Sequence, residues 1–123
     1  MISIQEMRAL EDNCGIPKVV LMDNAGKAIY NALKEKFELK DKRILIVAYH
    51  GDNGGDGFVA ARHLCNDAEV DVLFIGDDSK LKKESLANFK KTENNEMIQM
   101  LTLEAVDFSD YDIILDAIFG TGI

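Results

Sequence analysis

No apolar run in the chain approaches the length of a membrane span. The longest are short, such as Ile44 to Tyr49, where a spanning helix takes about 20 consecutive apolar residues. The opening residues, MISIQEMRALED, are amphipathic and contain acids, without the basic-then-apolar order of a secretory leader. Cysteine is scarce. Cys14 and Cys65 alone make neither a metal-ligand pattern nor a disulfide framework, and they read as small core residues of a protein in a reducing cytoplasm. Cations are the minority charge, 14 Lys and Arg against 22 Asp and Glu for a net −8, which opposes general attraction to nucleic acid or an anionic membrane. The local basic cluster Lys80, Lys82, Lys83, Lys90 and Lys91 reads as the solvated face of a surface helix. Proline occurs once, at Pro17, where it suits a first helical turn because its missing N–H is not needed there.

What is present describes an ordinary globular chain. With 47% hydrophobic and 29% charged residues over 123 positions, it has material for one core and too little for two, so residues 1–123 are read as a single domain. Ser3, Met7, Leu10 and Cys14 follow a helical spacing, broken at Gly15-Ile16-Pro17. Met22, Ala25, Ile29, Ala32 or Leu33, and Phe37 mark one face of a longer helix. After the turn residues Lys40-Asp41-Lys42, ILIVAY (Ile44–Tyr49) is expected to be a strand buried on both faces. Phe58, Ala61 and Cys65, with Ala60, Leu64 and Ala68, predict the next helix. Val70–Gly76 reads as a strand, Asp77-Asp78-Ser79 as a turn and helix cap, and Lys80 to about Glu93 as a charged helix. Met97–Leu101 is a short strand, Leu103–Ser109 a connector and Asp112–Gly120 a further buried strand. Strands alternating with helices predict an α/β domain with a parallel sheet and right-handed crossovers. The sequence stops at Ile123, just after this buried-type strand and within a glycine loop, with no covering helix, which gives the expectation of a piece of a longer protein.

Between the first long strand and its helix lies YHGDNGGDGF, residues 49–58. A second glycine loop, Gly120-Thr121-Gly122, follows the last strand. Ligands in open α/β sheets bind outside the carboxyl ends of the strands at a topological switch point. If the strand ending at Tyr49 lies beside the last strand, the two loops face one crevice. The first loop lacks the G-x-G-x-x-G spacing and has no following Lys-Ser/Thr, so it is neither the dinucleotide fingerprint nor a phosphate-binding lysine loop. Two readings stay open for it: a ligand cradle, or a tight strand-to-helix turn with Asp56 as N-terminal cap. Asn53 offers an amide oxygen and Asp116 a carboxylate near the end of the last strand, a donor type that suits a monovalent or alkaline-earth cation. Asp116 reads equally well as a turn-stabilising carboxylate. His50 reads as a solvent-facing turn residue and His63 as a surface or packing residue. No Ser/His/Asp or Cys/His set can be assembled for covalent catalysis.

Three segments, MRALEDNCGIPKVVLMDNAGKA (Met7–Ala28), NGGDGFVAARHL (Asn53–Leu64) and DAIFGTG (Asp116–Gly122), occur together in this order. On them the chain resembles the NAD(P)H-hydrate epimerase family, the YjeF N-terminal domain, over essentially its whole length. The resemblance implies a Rossmann-like three-layer α/β/α sandwich with a mainly parallel sheet, incomplete at the C-terminus, with 1–123 as its N-terminal portion. It implies an isomerase that interconverts the R and S epimers of hydrated NADH and NADPH in nicotinamide cofactor repair. The alternative is a non-catalytic binding or scaffold module of the same fold. The implied substrate loops are Asp52, Asn53, Gly54, Gly55 and Asp56, then Gly120, Thr121, Gly122 and Ile123. Asp56 is the implied catalytic acid or base, and Asn53 and Asp116 the ligands of one potassium ion per subunit. Implied partners are the small-molecule substrate, a second copy in a homodimer, and an ADP/ATP-dependent NAD(P)H-hydrate dehydratase, fused or separate; nucleic acid and membrane are not among them, and the location is cytoplasmic. The sequence departs from the family in two places. Asp52 stands where the loop usually has its first asparagine, which exchanges an amide for an anion, and Tyr49 replaces a glycine two residues before Gly51. The family's later aspartate and serine fall beyond Ile123.

Overall fold

The computed structural model describes residues 17–118 together with the backbone of Ile2–Ser3. Helix α1 (Lys18–Lys36) follows Pro17, whose extended conformation makes it the N-cap. Its buried stripe is Met22, Ala25, Gly26, Ile29 and Leu33, the three-and-four spacing of one helix face. Phe37, expected on that stripe, is the first residue beyond it, with φ −130° and ψ 149°. Asp41 then turns the chain with φ 64°, a left-handed conformation that aspartate tolerates better than most residues.

Strand β2 (Arg43–Ala48), helix α2 (Asp52–Leu64), strand β3 (Glu69–Phe74), helix α3 (Lys83–Glu93), strand β4 (Ile98–Leu101) and strand β5 (Ile113–Ala117) follow in order. The helix expected from Lys80 is divided. Asp77 caps a single 3-10 turn (Asp78–Lys80), accepting from the Ser79 N–H at 3.0 Å. Leu81 and Lys82 are extended, and α3 starts only at Lys83. The basic residues Lys80, Lys82, Lys83, Lys90 and Lys91 are all exposed, as expected of a solvated face.

With β1 (Ile2–Ser3) the sheet has five strands in the order β1-β5-β2-β3-β4, every pairing parallel. The added strand, β1 (Ile2–Ser3), pairs with Leu115 and Asp116 of β5. Ser3, expected to open an N-terminal helix, is therefore in a strand; Met7, Leu10 and Cys14 lie outside the described residues. Two residues are too short a run to show the alternation that identifies a strand.

From β2 the sheet grows one way through β3 to β4, and the chain then returns to place β5 on the other side of β2. Right-handed crossovers put α2 and α3 on one face and the β4–β5 connector on the other. Side chains agree. Ile44, Ile46, Ala48, Val70, Val72, Leu115 and Ala117 form one core with Ile29, Leu33, Phe58, Leu64 and Phe89 of the helices. Leu45, Val47 and Leu73 point the opposite way, against Val106, Tyr111, Ile114 and Ile118. Among the described residues the helices cover one face only, and the opposite face carries the connector with its two single turns, Leu103–Ala105 and Phe108–Asp110. No described helix is long and apolar enough to cross a membrane.

At the amino ends of the strands Arg43 joins three segments. Its guanidinium lies 3.3 Å from Glu69 and 3.8 Å from Asp71, and over the Tyr111 ring at 5.1 Å. The Tyr111 hydroxyl donates to Asp71 at 2.6 Å. Burial, then this hydrogen bond and the charge of Asp71, push its pKa up to about 12. The connector is thus fastened at the end of the sheet opposite the glycine loop.

Candidate functional site

Parallel neighbours β2 and β5 run in register, Val47 opposite Asp116 and Ala48 opposite Ala117. Adjacent strands lie about 4.8 Å apart, so the segments leaving Ala48 and Ala117 start side by side. This is the topological switch point, where sheet order reverses. The expected neighbourhood of the two loops holds as far as Ile118; Gly120, Thr121, Gly122 and Ile123 lie outside the described residues.

The first loop is shorter than its glycines imply. Only Tyr49, His50 and Gly51 separate β2 from α2, whose N-cap is Gly51 with φ −91° and ψ −177°. Asp56 is not the cap that one reading of the loop made it: it is a residue within α2 and fully buried, 0% exposed. The helix starts earlier because the Gly54 and Gly55 amides already bond back to the Gly51 carbonyl, at 3.1 and 3.3 Å. Amides of the first turn point out of the helix end, with the positive pole of the helix dipole behind them.

The glycines of this turn have a packing role that the sequence did not reveal. A Cβ on Gly54 would stand 1.9 Å from the Tyr49 carbonyl oxygen. On Gly55 it would meet Met22 Cε at 2.5 Å, Met22 Sδ at 2.6 Å and Ser85 Oγ at 2.7 Å. These two positions let α2 begin directly against the end of β2 and under α1 and α3. Gly51 is the exception, with nothing within 4 Å of its added Cβ. Asn88 secures the α1–α3 side of this packing, donating to Met22 Sδ at 3.1 Å and accepting from Arg62 at 2.9 Å. Burial lowers the Arg62 pKa, and the charge of Asp23 opposes that shift.

Asn53, the second residue of α2, is 7% exposed, and Asp116 is 4% exposed at the carboxyl end of β5. Asp116 Oδ1 accepts from the Ile118 N–H at 2.9 Å. One oxygen therefore performs the turn-stabilising task that was the alternative reading of this residue. A carboxylate offers about four lone-pair sites, so that bond leaves acceptor capacity for a cation. Among the described residues no group of three or more His, Cys, Asp or Glu side chains is placed to hold a metal. Asn53 and Asp116 offer an amide oxygen and a carboxylate, the oxygen donor types that hard cations take.

Asp52, the first residue of α2, is not an isolated anion. Lys18 Nζ, from the first residue of α1, lies 3.1 Å from its Oδ1. Thirty-four positions of sequence separate the two, and no motif links them. His50, expected as a solvent-facing turn residue, is half-buried and also has a structural tie: its Nδ1 accepts from the Asp77 N–H at 3.0 Å, and its ring lies 3.8 Å from that of Tyr49. It ties the β2 exit to the β3 exit. His63 stacks on Tyr30 at 5.6 Å, a packing residue as expected. Cys65 is buried and free, its thiol pKa raised chiefly by burial.

A family model described as YjeF-related protein N-terminus matches residues 18–123. Among curated proteins, the NAD(P)H-hydrate epimerases of Nitrosopumilus maritimus and Lentilactobacillus buchneri are 37% and 35% identical, each over 99% of this chain. The bifunctional NAD(P)H-hydrate repair enzyme Nnr of Methanocaldococcus jannaschii is 34% identical over 100% of the chain. The chain spans 60%, 58% and 27% of those three relatives. The crystal structure of the yeast protein ynu0 superposes with a TM-score of 0.70 at 24% identity, covering 97% of this chain and 56% of that one; it bears out the α/β fold. A match over nearly the whole chain, with the glycine turn and Asp116 at adjoining strand ends, leads to one assignment: the chain belongs to the family of YjeF-related protein N-termini.

Proposed function

We propose that the protein is an NAD(P)H-hydrate epimerase, an isomerase that interconverts the R and S epimers of hydrated NADH and NADPH. The observation that supports it most is the switch point: β2 and β5 adjoin there, and their ends carry the N-G-G-D turn and Asp116. Relatives named for this activity match across both segments.

Hydrated nicotinamide carries a hydroxyl on the ring carbon next to nitrogen. Epimerisation needs that hydroxyl to leave and return on the other face, or an equivalent ring-opening route, and either needs a positioned acid or base. We assign this role to Asp56, held within α2 away from bulk water. The first turn of α2, from Asp52 to Gly55, and the Gly120–Ile123 segment hold the phosphates and ribose, which fixes the ring relative to the carboxyl. Asn53 and Asp116 would hold potassium; the bound ion would supply fixed positive charge beside the anionic substrate. The homodimer, the cytoplasmic location and the handover of substrate to an ADP/ATP-dependent dehydratase belong to the same proposal.

Asp56→Asn keeps the side-chain volume and removes the ionisable group. In full-length protein with one purified epimer, it should slow epimerisation by about a hundredfold or more while the melting temperature stays near wild type. A near-wild-type rate would remove Asp56 from the mechanism.

A further inference from the structure

Lys18 and Asp52 are the first residues of α1 and α2, and their side chains form an ion pair at 3.1 Å, each 36% exposed. We propose that Lys18 is a specificity-determining residue at the mouth of the site: it neutralises Asp52 and so opens the α2 N-terminus to the anionic part of a nicotinamide dinucleotide. This inference rests on the epimerase reading above.

The two helix starts are not electrically alike. Asp52 lies at the positive end of α2, where a carboxylate is favoured. Lys18 lies at the positive end of α1, where an ammonium is disfavoured, and the first turn of α1 contains no acidic residue. The lysine therefore does nothing for its own helix, and the partner it reaches belongs to the other one. Asp52 stabilises α2, yet its uncompensated charge at the helix mouth would oppose a pyrophosphate approaching the same amides. Taken together, Lys18 and Asp52 carry no net charge, so the paired carboxylate no longer sets the sign of the field at the helix mouth. Gly51 beside them is exposed, with open space over its Cα, so a ligand has room to approach from this side. In a chain of net charge −8, the field at that approach depends on such local compensation.

A double-mutant cycle in full-length protein tests the pairing, with NAD as the binding probe and one epimer of hydrated NADH as the kinetic probe. Lys18→Met keeps the apolar stem and removes the charge. At low salt it should weaken NAD binding by about fivefold and raise KM similarly, the effect shrinking as ionic strength rises. Asp52→Asn alone leaves Lys18 uncompensated at the helix mouth and should tighten NAD binding by about twofold to fivefold at low salt. Added to Lys18→Met, it should bring binding back to within about twofold of wild type. The melting temperatures of all three variants should stay close to wild type, because an exposed pair adds little stability. Unchanged binding in Lys18→Met, or a double variant as weak as Lys18→Met, overturns the inference while the epimerase reading stands. A wild-type protein that binds NAD and epimerises nothing overturns that reading, and the inference with it.

Discussion

If Gly54 exists to let α2 start against the end of β2, Gly54→Ala must strain the backbone even with no ligand present. The added Cβ would stand 1.9 Å from the Tyr49 carbonyl oxygen and 3.1 Å from its carbonyl carbon. A carbon and an oxygen in contact sit about 3.3 Å apart, so β2 and α2 must separate by more than an ångström. The atom in the way is main chain and has no rotamer to change. Overpacking costs about 1–3 kcal/mol where side chains can yield, and here the upper end applies. Alanine returns about 1 kcal/mol as a better helix former than glycine. The net expectation is a loss of about 2 kcal/mol, or about 8 °C in melting temperature for a domain of this size. Thermal melts followed by circular dichroism, with no added substrate, read it directly. Gly51→Ala is the internal control: its Cβ meets nothing within 4 Å, and alanine in place of the N-cap glycine should cost less than about 1 kcal/mol. If Gly54→Ala melts with wild type, or Gly51→Ala is equally damaging, the packing explanation of this turn is wrong.

Two further outcomes follow from contacts elsewhere in the fold. Gly26→Ala should destabilise by about 1–3 kcal/mol, because its Cβ would meet Val59 Cγ1 at 2.3 Å and Val59 Cβ at 2.4 Å; Val59→Ala should fail to rescue it, since the second contact remains, and a full rescue in urea melts would contradict this. Tyr111 ionises near 10 in its ordinary state and near 12 in the fold, so the unfolded chain loses this proton first. Stability should hold below pH 10 and decline towards pH 12, and Tyr111→Phe, measured by denaturant melts across that range, should show a shallower decline than wild type.

The α/β class and the positions of β2, β3 and β5 were legible because ILIVA, VDVLF and DIILDA are short, β-branched-rich apolar runs of the kind a strand between layers carries. The switch point followed from strand order alone. What stayed hidden depended on distance in three dimensions. The glycines at 54 and 55 look like a ligand cradle in sequence, yet their Cβ directions are filled by Tyr49, Met22 and Ser85. Asp56 resembles a cap because it precedes the apolar residues of the helix, but small residues at 54 and 55 let the helix start at Asp52. Asp52 looked like a bare anion in a phosphate site until Lys18 was seen across from it. His50 reads as a surface residue until β3 brings the Asp77 amide to its ring. For Gly55, Asp52 and His50 a contact from a distant part of the chain, invisible to periodicity, reassigns the residue.

The most direct test of the account is to incubate full-length protein with the purified R or S epimer of hydrated NADH in potassium buffer, and to follow the two epimers by chromatography. The account predicts that either starting epimer converges on the same mixture at a rate proportional to enzyme concentration. A mixture that equilibrates no faster than the buffer control, with folded protein that binds NAD, would contradict it.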